Sequence, residues 1–219
     1  MTGRGALHGQ VAIVTGAGRG VGHAVAMALA HEGATVVLAA RTRQQLAGDG
    51  GGHSRERGTA LAIPTDVTQD GAVEAMVEEA VAELGRVDTL VTAAGAASFG
   101  PVVGTKPSDW DAILAVNLRA VMVCCRAVLP IMIRQHRGTI INIASIAAQR
   151  AIPGAAVYTA TKAGVVGFSR VLAEELRSEG CGSGYWSRGP WIRPSGMPSR
   201  IRRTAAACCA PRTSPGARS

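Results

Sequence analysis

The chain has 219 residues, 47% of them hydrophobic but only 3% aromatic, with 28 glycines and a formal charge of +8. That length gives one domain, or one domain with a tail, and the composition suits small-residue helices packed closely on a parallel sheet. The charge is not spread over the body: residues 181–219 hold seven arginines and no acid, whereas residues 1–180 set 16 basic against 15 acidic side chains, which argues against nucleic acid and a membrane surface as partners.

Before the first apolar run the sequence has no secretory pattern, and no apolar stretch is expected to reach membrane-spanning length. Cys124, Cys125, Cys181, Cys208 and Cys209 form no C-x-x-C pair, and no His/Cys cluster has zinc spacing. The expected compartment is a reducing cytoplasm, with no metal.

In chain order, Gln10–Thr15 is a short apolar run, read as a buried strand. It opens into Gly16-Ala17-Gly18-Arg19-Gly20-Val21-Gly22, and a helix pattern follows through Val25 and Leu29 to a stop at Gly33. A glycine turn between strand and helix lets the backbone approach a pyrophosphate, and the helix N-terminus offers N–H groups and the positive end of its dipole. A plain tight turn is the bland alternative. Residues 34–40 form the second strand, which ends in Ala40 and Arg41 where an NAD site expects an acidic residue for the ribose hydroxyls. Arg41, with Arg19 in the turn, suits a 2′-phosphate, so NADP(H) is preferred and NAD(H) is the alternative.

Thr42 to Leu46 starts a helix that the glycines of 48–52 would break. Residues 60–64 are a third strand leading to Asp66 and Val67, where Asp66 either contacts an adenine or caps the next helix. That helix runs from Asp70 to Leu84, amphipathic through Val73, Met76, Val77 and Ala80. Residues 87–92 are the fourth strand, ending at Ala93-Ala94-Gly95, small enough for a cofactor to lie close. Trp110 to Ile133 reads as a long helix interrupted or ended by Pro130. Asn117 lies well inside it, as a helix-bending hydrogen bonder or a functional residue. Residues 138–145 are the fifth strand, with Ser145 at its carboxyl end.

Tyr158 and Lys162 follow on one helix, four apart and so on one face. An ammonium near a phenol favours the phenolate and draws the tyrosine down from about 10 towards the working pH, which makes it a usable general acid/base. Taken alone, the pair is more simply a half-buried tyrosine and a solvated lysine. Alternating strands and helices imply a parallel sheet with right-handed crossovers. Gly16, Gly95 and Ser145 all fall at the carboxyl ends of strands, where such sheets bind ligands.

Taken together, Thr15-Gly16-x-x-x-Gly20-x-Gly22, Asp66, Ala94-Gly95, Asn117, Ser145 and Tyr158-x-x-x-Lys162 resemble the motif set of the short-chain dehydrogenase/reductase family, with order and spacing kept over residues 10–178. The branches with the nearest look are those of 3-oxoacyl-carrier-protein reductases and of related ketoreductases or sugar-alcohol enzymes, which does not fix the substrate. The resemblance implies a Rossmann-type doubly wound parallel sheet in three α/β/α layers. It implies an oxidoreductase that interconverts a ketone or aldehyde and an alcohol by hydride transfer, acting on a small-molecule substrate. Tyr158 is then the acid/base, Lys162 holds the ribose and tunes the tyrosine, Ser145 orients the substrate oxygen and Asn117 orders a relay water. Gly16, Gly18, Arg19, Gly20, Val21, Gly22, Arg41, Asp66, Val67, Ala94 and Gly95, with Tyr158 and Lys162, line the cofactor. A homodimer or homotetramer built on the helices of 110–133 and 158–178 is implied as well. Thr92 departs from the family, which usually has asparagine there or next to it; a local hydrogen bond is expected to compensate. Ala96, Ala147, Gln149 and Pro153 are candidate pocket residues.

After Gly180 the family's sixth strand and Pro-Gly turn are missing, and Cys181-Gly-Ser-Gly-Tyr-Trp stands instead. The expectation is therefore a domain of residues 1–180 lacking the last strands, and an aberrant, disordered basic tail at 181–219. Read with each codon begun at the third base of the one before, this region can be translated V-R-V-G-V-L-V-P-G, an apolar strand and a Pro-Gly turn, so a shifted reading frame is inferred. The glycines of 47–54 are a candidate for a second slip. A sheet without its sixth strand would leave an open edge and a pocket short of one wall. The competing function is thus a catalytically impaired, nucleotide-binding remnant.

Overall fold

The computed structural model describes residues 5–47 and 60–187. Six strands form one parallel sheet: β1 (Val11–Thr15), β2 (Thr35–Ala40), β3 (Ala60–Pro64), β4 (Thr89–Thr92), β5 (Gly138–Ile143) and β6 (Cys181–Trp186), in the order β3-β2-β1-β4-β5-β6. That is the order of a dinucleotide-binding sheet, whose switch point lies between β1 and β4. The helices are α1 (Gly20–His31), α2 (Arg43–Ala47), α3 (Asp70–Leu84), α4 (Pro107–Leu114), α5 (Ala120–Arg134) and α6 (Ala156–Glu175).

The strands are apolar on both sides because both faces are covered. Val36 and Leu38 join Ala26 and Leu29 of α1 in one core; Val37 and Ala39 point the other way, into a core with Met76, Val77, Cys125, Val128, Val165 and Leu172 from α3, α5 and α6. This is the expected three-layer sandwich. Tertiary burial rather than local preference sets most bounds, yet β3 and α3 fall on the expected residues.

Two expectations fail here. The segment after Gly180 is a strand, not a loss of pattern: β6 pairs with β5 in unbroken register from Gly138–Cys181 to Ile143–Trp186. The parallel edge of β5 offers a row of backbone donors and acceptors, and pairing with it asks nothing of side-chain type. Glycines are tolerated, and Cys181 and Tyr185 alternate onto the α6 side and are buried there. The sheet therefore does not end at β5, and residues 181–186 belong to it; the remainder of the expected tail, 188–219, lies outside the described residues, as does the glycine run at 48–52. Second, one helix does reach membrane-spanning length: Pro107–Arg134 is a continuous 28-residue helix whose most apolar window has mean hydropathy 1.9, with 44% of that window buried inside the protein. Its inner face, Val121, Cys124, Cys125, Val128 and Met132, is part of the core. Pro130 does not end it.

Two polar ties close the sheet. Asp88 accepts from Val11 N at 2.9 Å and forms a bidentate pair with Arg86 at 2.8 and 2.7 Å. Thr92 donates to Asn142 Oδ1 at 2.8 Å, and Asn142 Nδ2 donates to Ser169 at 2.9 Å. Thr92 thus meets the expected need for a hydrogen bond across β4 and β5, in a network that continues into α6.

Candidate active site

A cleft of about 1060 Å³ runs over the carboxyl ends of the strands. At one end lies the turn after β1. Gly16 has φ +67°, and a Cβ there would stand 2.7 Å from the backbone of Ala94; at Gly22 a Cβ would strike the carbonyl oxygen of Gly16. The turn therefore closes against both its own helix and the β4 loop only without side chains. Thr15 Oγ1 accepts from Ala93 N at 3.1 Å and Ala94 N at 3.3 Å, binding the two halves of the cleft floor. Sequence reasoning took Thr15 only as part of the motif.

Gly16, Gly18, Arg19, Gly20, Val21, Gly22, Arg41, Asp66, Val67, Ala94 and Gly95 all line this cleft, with Ser145, Tyr158 and Lys162. Arg19 and Arg41 are exposed. Asp66 does not cap α3 directly: its Oδ1 accepts from Thr68 N at 3.0 Å and Thr68 Oγ1 at 2.8 Å, and these bonds, the backbone one first, hold its carboxyl below the usual range. Of the four candidate pocket residues, Ala96 lines the cleft and Ala147, Gln149 and Pro153 do not.

The other end is built from β5 and α6. Ser145 leaves β5 in extended conformation and its Oγ accepts from Ala147 N at 3.2 Å, which fixes the hydroxyl at the head of a short turn. Lys162 is only 6% exposed; its Nζ donates to Ile143 O at 2.8 Å and lies 6.0 Å from the centroid of the Tyr158 ring. Burial lowers its pKa to about 8. Thr161 Oγ1 donates to Tyr158 O at 2.7 Å, within the same turn of α6.

Asn117 is fully buried in a five-residue π-helical segment, Ala115–Arg119, between α4 and α5. Its Oδ1 accepts from Ala96 N and its Nδ2 donates to Ala96 O, both at 2.8 Å, with a further bond to Thr161 Oγ1 at 3.3 Å. The helix widens where the amide turns aside to clamp the β4 loop, as π-segments at functional sites do. The side chain is a positioning group between that loop and α6.

Trp186, at the carboxyl end of β6, also lines the cleft, and its carbonyl accepts from Ala144 N at 2.7 Å. Sequence reasoning missed it because β6 itself was missed. Among the described residues no cluster of His, Cys, Asp or Glu is placed to hold a metal. Cys124 is pushed up to about 12 by burial, which makes it a core thiol and not a nucleophile.

Residues 10–182 match the family profile of the short chain dehydrogenases. The chain is 38% identical over 183 residues to a 3-oxoacyl-(acyl-carrier-protein) reductase of Synechocystis sp., covering 80% of this chain and 71% of that one. It is 40% identical over 177 residues to D-threitol dehydrogenase of Mycolicibacterium smegmatis, covering 80% and 67%. Among solved structures, a metagenomic short-chain oxidoreductase in complex with NADP superposes with a TM-score of 0.76 at 37% identity, covering 93% of this chain and 92% of that one. An NAD+-bound xylitol dehydrogenase gives a TM-score of 0.79 at 30% identity, with 85% and 73% covered. The chain belongs to the short-chain dehydrogenase family, oxidoreductases that interconvert CH–OH and carbonyl groups with NAD or NADP.

Proposed function

We propose that this chain reduces a ketone or aldehyde with NADPH, with Tyr158 as the acid/base. The observation that carries the reading is that Ser145, Tyr158 and Lys162 line one cleft with the side-chain-free turn of Gly16–Gly22. That turn fits a pyrophosphate: Gly16 and Gly22 let it close tightly on Ala94 and on α1, and Gly20, where a Cβ would meet no protein atom, lines the cleft beside the α1 N-terminus and its free N–H groups. Arg41, exposed at the end of β2 where no acid stands, supports a 2′-phosphate and so NADP(H) over NAD(H). Asp66 and Val67 flank the adenine end; Ala94 and Gly95 floor the middle.

A dinucleotide held there would supply the hydride for the carbonyl carbon. Ser145 donates a hydrogen bond to the carbonyl oxygen and holds it facing Tyr158. The Tyr158 hydroxyl gives that oxygen its proton as negative charge builds there. Lys162, anchored on Ile143 O, holds the ribose hydroxyls and keeps a positive charge beside the phenol. Asn117 fixes the Ala96 loop against α6 and so sets the floor on which the substrate rests. The protein works in a reducing cytoplasm, in keeping with three free, buried cysteines among the described residues, and pairs through the outer faces of α4, α5 and α6 as a homodimer or homotetramer. Oxidation of NADPH, followed by absorbance across a panel of ketones, tests the activity. No turnover of any ketone alongside tight NADPH binding would remove it.

A second reading, an impaired nucleotide-binding remnant, is favoured by Ser183. Its hydroxyl is buried on the α6 side of β6 and is the one buried side-chain N or O without a hydrogen-bond partner among the described residues. The shifted frame puts valine at 181, 183 and 185, the three positions on that side. The residues from about 181 thus occupy a strand whose core they do not match, as out-of-frame translation would leave them. The nucleotide sequence across codons 175–219 decides it; an early stop in the shifted frame ends the idea.

A further inference from the structure

Phe99 is 66% exposed, yet it is not a loose side chain on a loop tip. Its ring lies 6.1 Å from the ring of Tyr158, centroid to centroid, tilted by 48°. The segment that carries it is pinned on both sides. Asn117 clamps Ala96 through two bonds of 2.8 Å, and Gly100 N donates to Gly154 O at 2.7 Å. The Gly100–Gly154 bond stitches this segment to a second loop, which carries Ile152, 40% exposed. Val102 and Val103 extend the apolar surface outward, 54% and 96% exposed. Neither loop contains an acid: residues 93–108 hold only Lys106 as a charge and residues 143–157 only Arg150.

A large aromatic ring left in water, held by backbone bonds beside the proton donor, is a surface waiting for an apolar partner. A polyhydroxylated substrate would need hydrogen-bonding groups at this place, and the loops offer few. We infer that Phe99 determines specificity, forming the apolar wall of the substrate site, so that the preferred substrates are ketones bearing an aryl or branched alkyl substituent rather than sugar-like ketones. The inference rests on the reading of Tyr158 as the reacting acid/base. The substrate carbonyl then meets Tyr158 and Ser145 while its apolar substituent covers Phe99.

The test compares propiophenone with dihydroxyacetone, using the full chain and NADPH. The wild type is expected to favour propiophenone in kcat/KM. Phe99→Asn is expected to lower that preference at least about tenfold, chiefly through KM for propiophenone, the scale of a lost apolar contact in a pocket. Phe99→Leu restores most of it, and the NADPH Kd, by calorimetry, is unchanged in both. An unchanged ratio in Phe99→Asn, or a wild type that prefers dihydroxyacetone, overturns the inference. Saturation-transfer NMR of propiophenone on the NADP+-loaded chain separates the two readings. A signal lost in Phe99→Asn supports the apolar wall even where no turnover is seen, a result that would count against the catalytic reading alone. A signal unaffected by Phe99→Asn overturns the wall.

Discussion

At the β1–β3 end of the cleft the charges stand in solvent: Arg19 and Arg41 are exposed beside the glycine turn. At the β5–α6 end the charge is hidden, with Lys162 6% exposed and tied to a main-chain carbonyl. Exposed charges are screened and readily exchanged, so they suit the choice between dinucleotides. A buried ammonium is held in one place at the expense of stability, which suits a group that must sit beside the reacting atoms. On the proposed reading the difference separates binding from chemistry along one groove, and mutations at the two ends should fall into separate classes.

The sharpest break would come at Tyr158. Tyr158→Phe is expected to lower kcat by about 10²–10⁴-fold, the usual worth of a positioned acid/base, with the NADPH Kd unmoved in calorimetry. Undiminished ketone reduction in this variant would end the mechanism. Next, Arg41→Asp should shift the NADPH-to-NADH affinity ratio by about ten- to hundredfold towards NADH, as the loss of one or two charge-assisted bonds predicts, with kcat on the better dinucleotide little changed. Raising salt should weaken NADPH more than NADH in the wild type.

The buried lysine gives a subtler test. Its folded-state pKa of about 8 lies below the ordinary lysine value of 10.5, so the folded chain sheds that proton before the unfolded chain does. Its contribution is therefore least favourable below about pH 8, where the ammonium is charged in both states, and improves as pH rises from about 8 towards 10.5. The Tm difference between wild type and Lys162→Met, without dinucleotide, should move in the wild type's favour across that window. A flat difference would place Lys162 in a wetter site than its burial indicates. The smallest expected effect is at Ser183, where replacing an unpartnered hydroxyl with the two methyl groups of valine, Ser183→Val, should add about 1 kcal/mol and about 3 °C in Tm. Loss of stability there would mean that the hydroxyl has a partner after all.

Much of the binding end was legible because its constraints are local. A strand, a turn that must be glycine and a helix start are written in consecutive residues, and β3 and α3 follow directly from their patterns. Asn117 was singled out as a polar residue inside an apolar helix; that its amide widens the helix into a π-segment could not be read, since its partner Ala96 is 21 positions away. The partnership of Thr92 with Asn142 is likewise a matter of strand register across 50 residues. The miss at β6 has the clearest cause. Propensity and apolar alternation do not mark this strand, which is held by the open edge of β5, where backbone pairs with backbone whatever the side chains. The expectation of an unpaired edge on β5 failed with it, and so did the view that the pocket simply lacked a wall there.

That wall includes a tryptophan. Trp186 lines the same cleft as the glycine turn, while the other tryptophan among the described residues, Trp110, spends its ring N–H on Thr105 at 2.7 Å and lies outside the lining. The protein therefore carries a built-in lamp in this cleft. Arrival of a dinucleotide should dim its emission without any added dye, and Trp186→Phe should leave the cleft dark to that signal while it still fills.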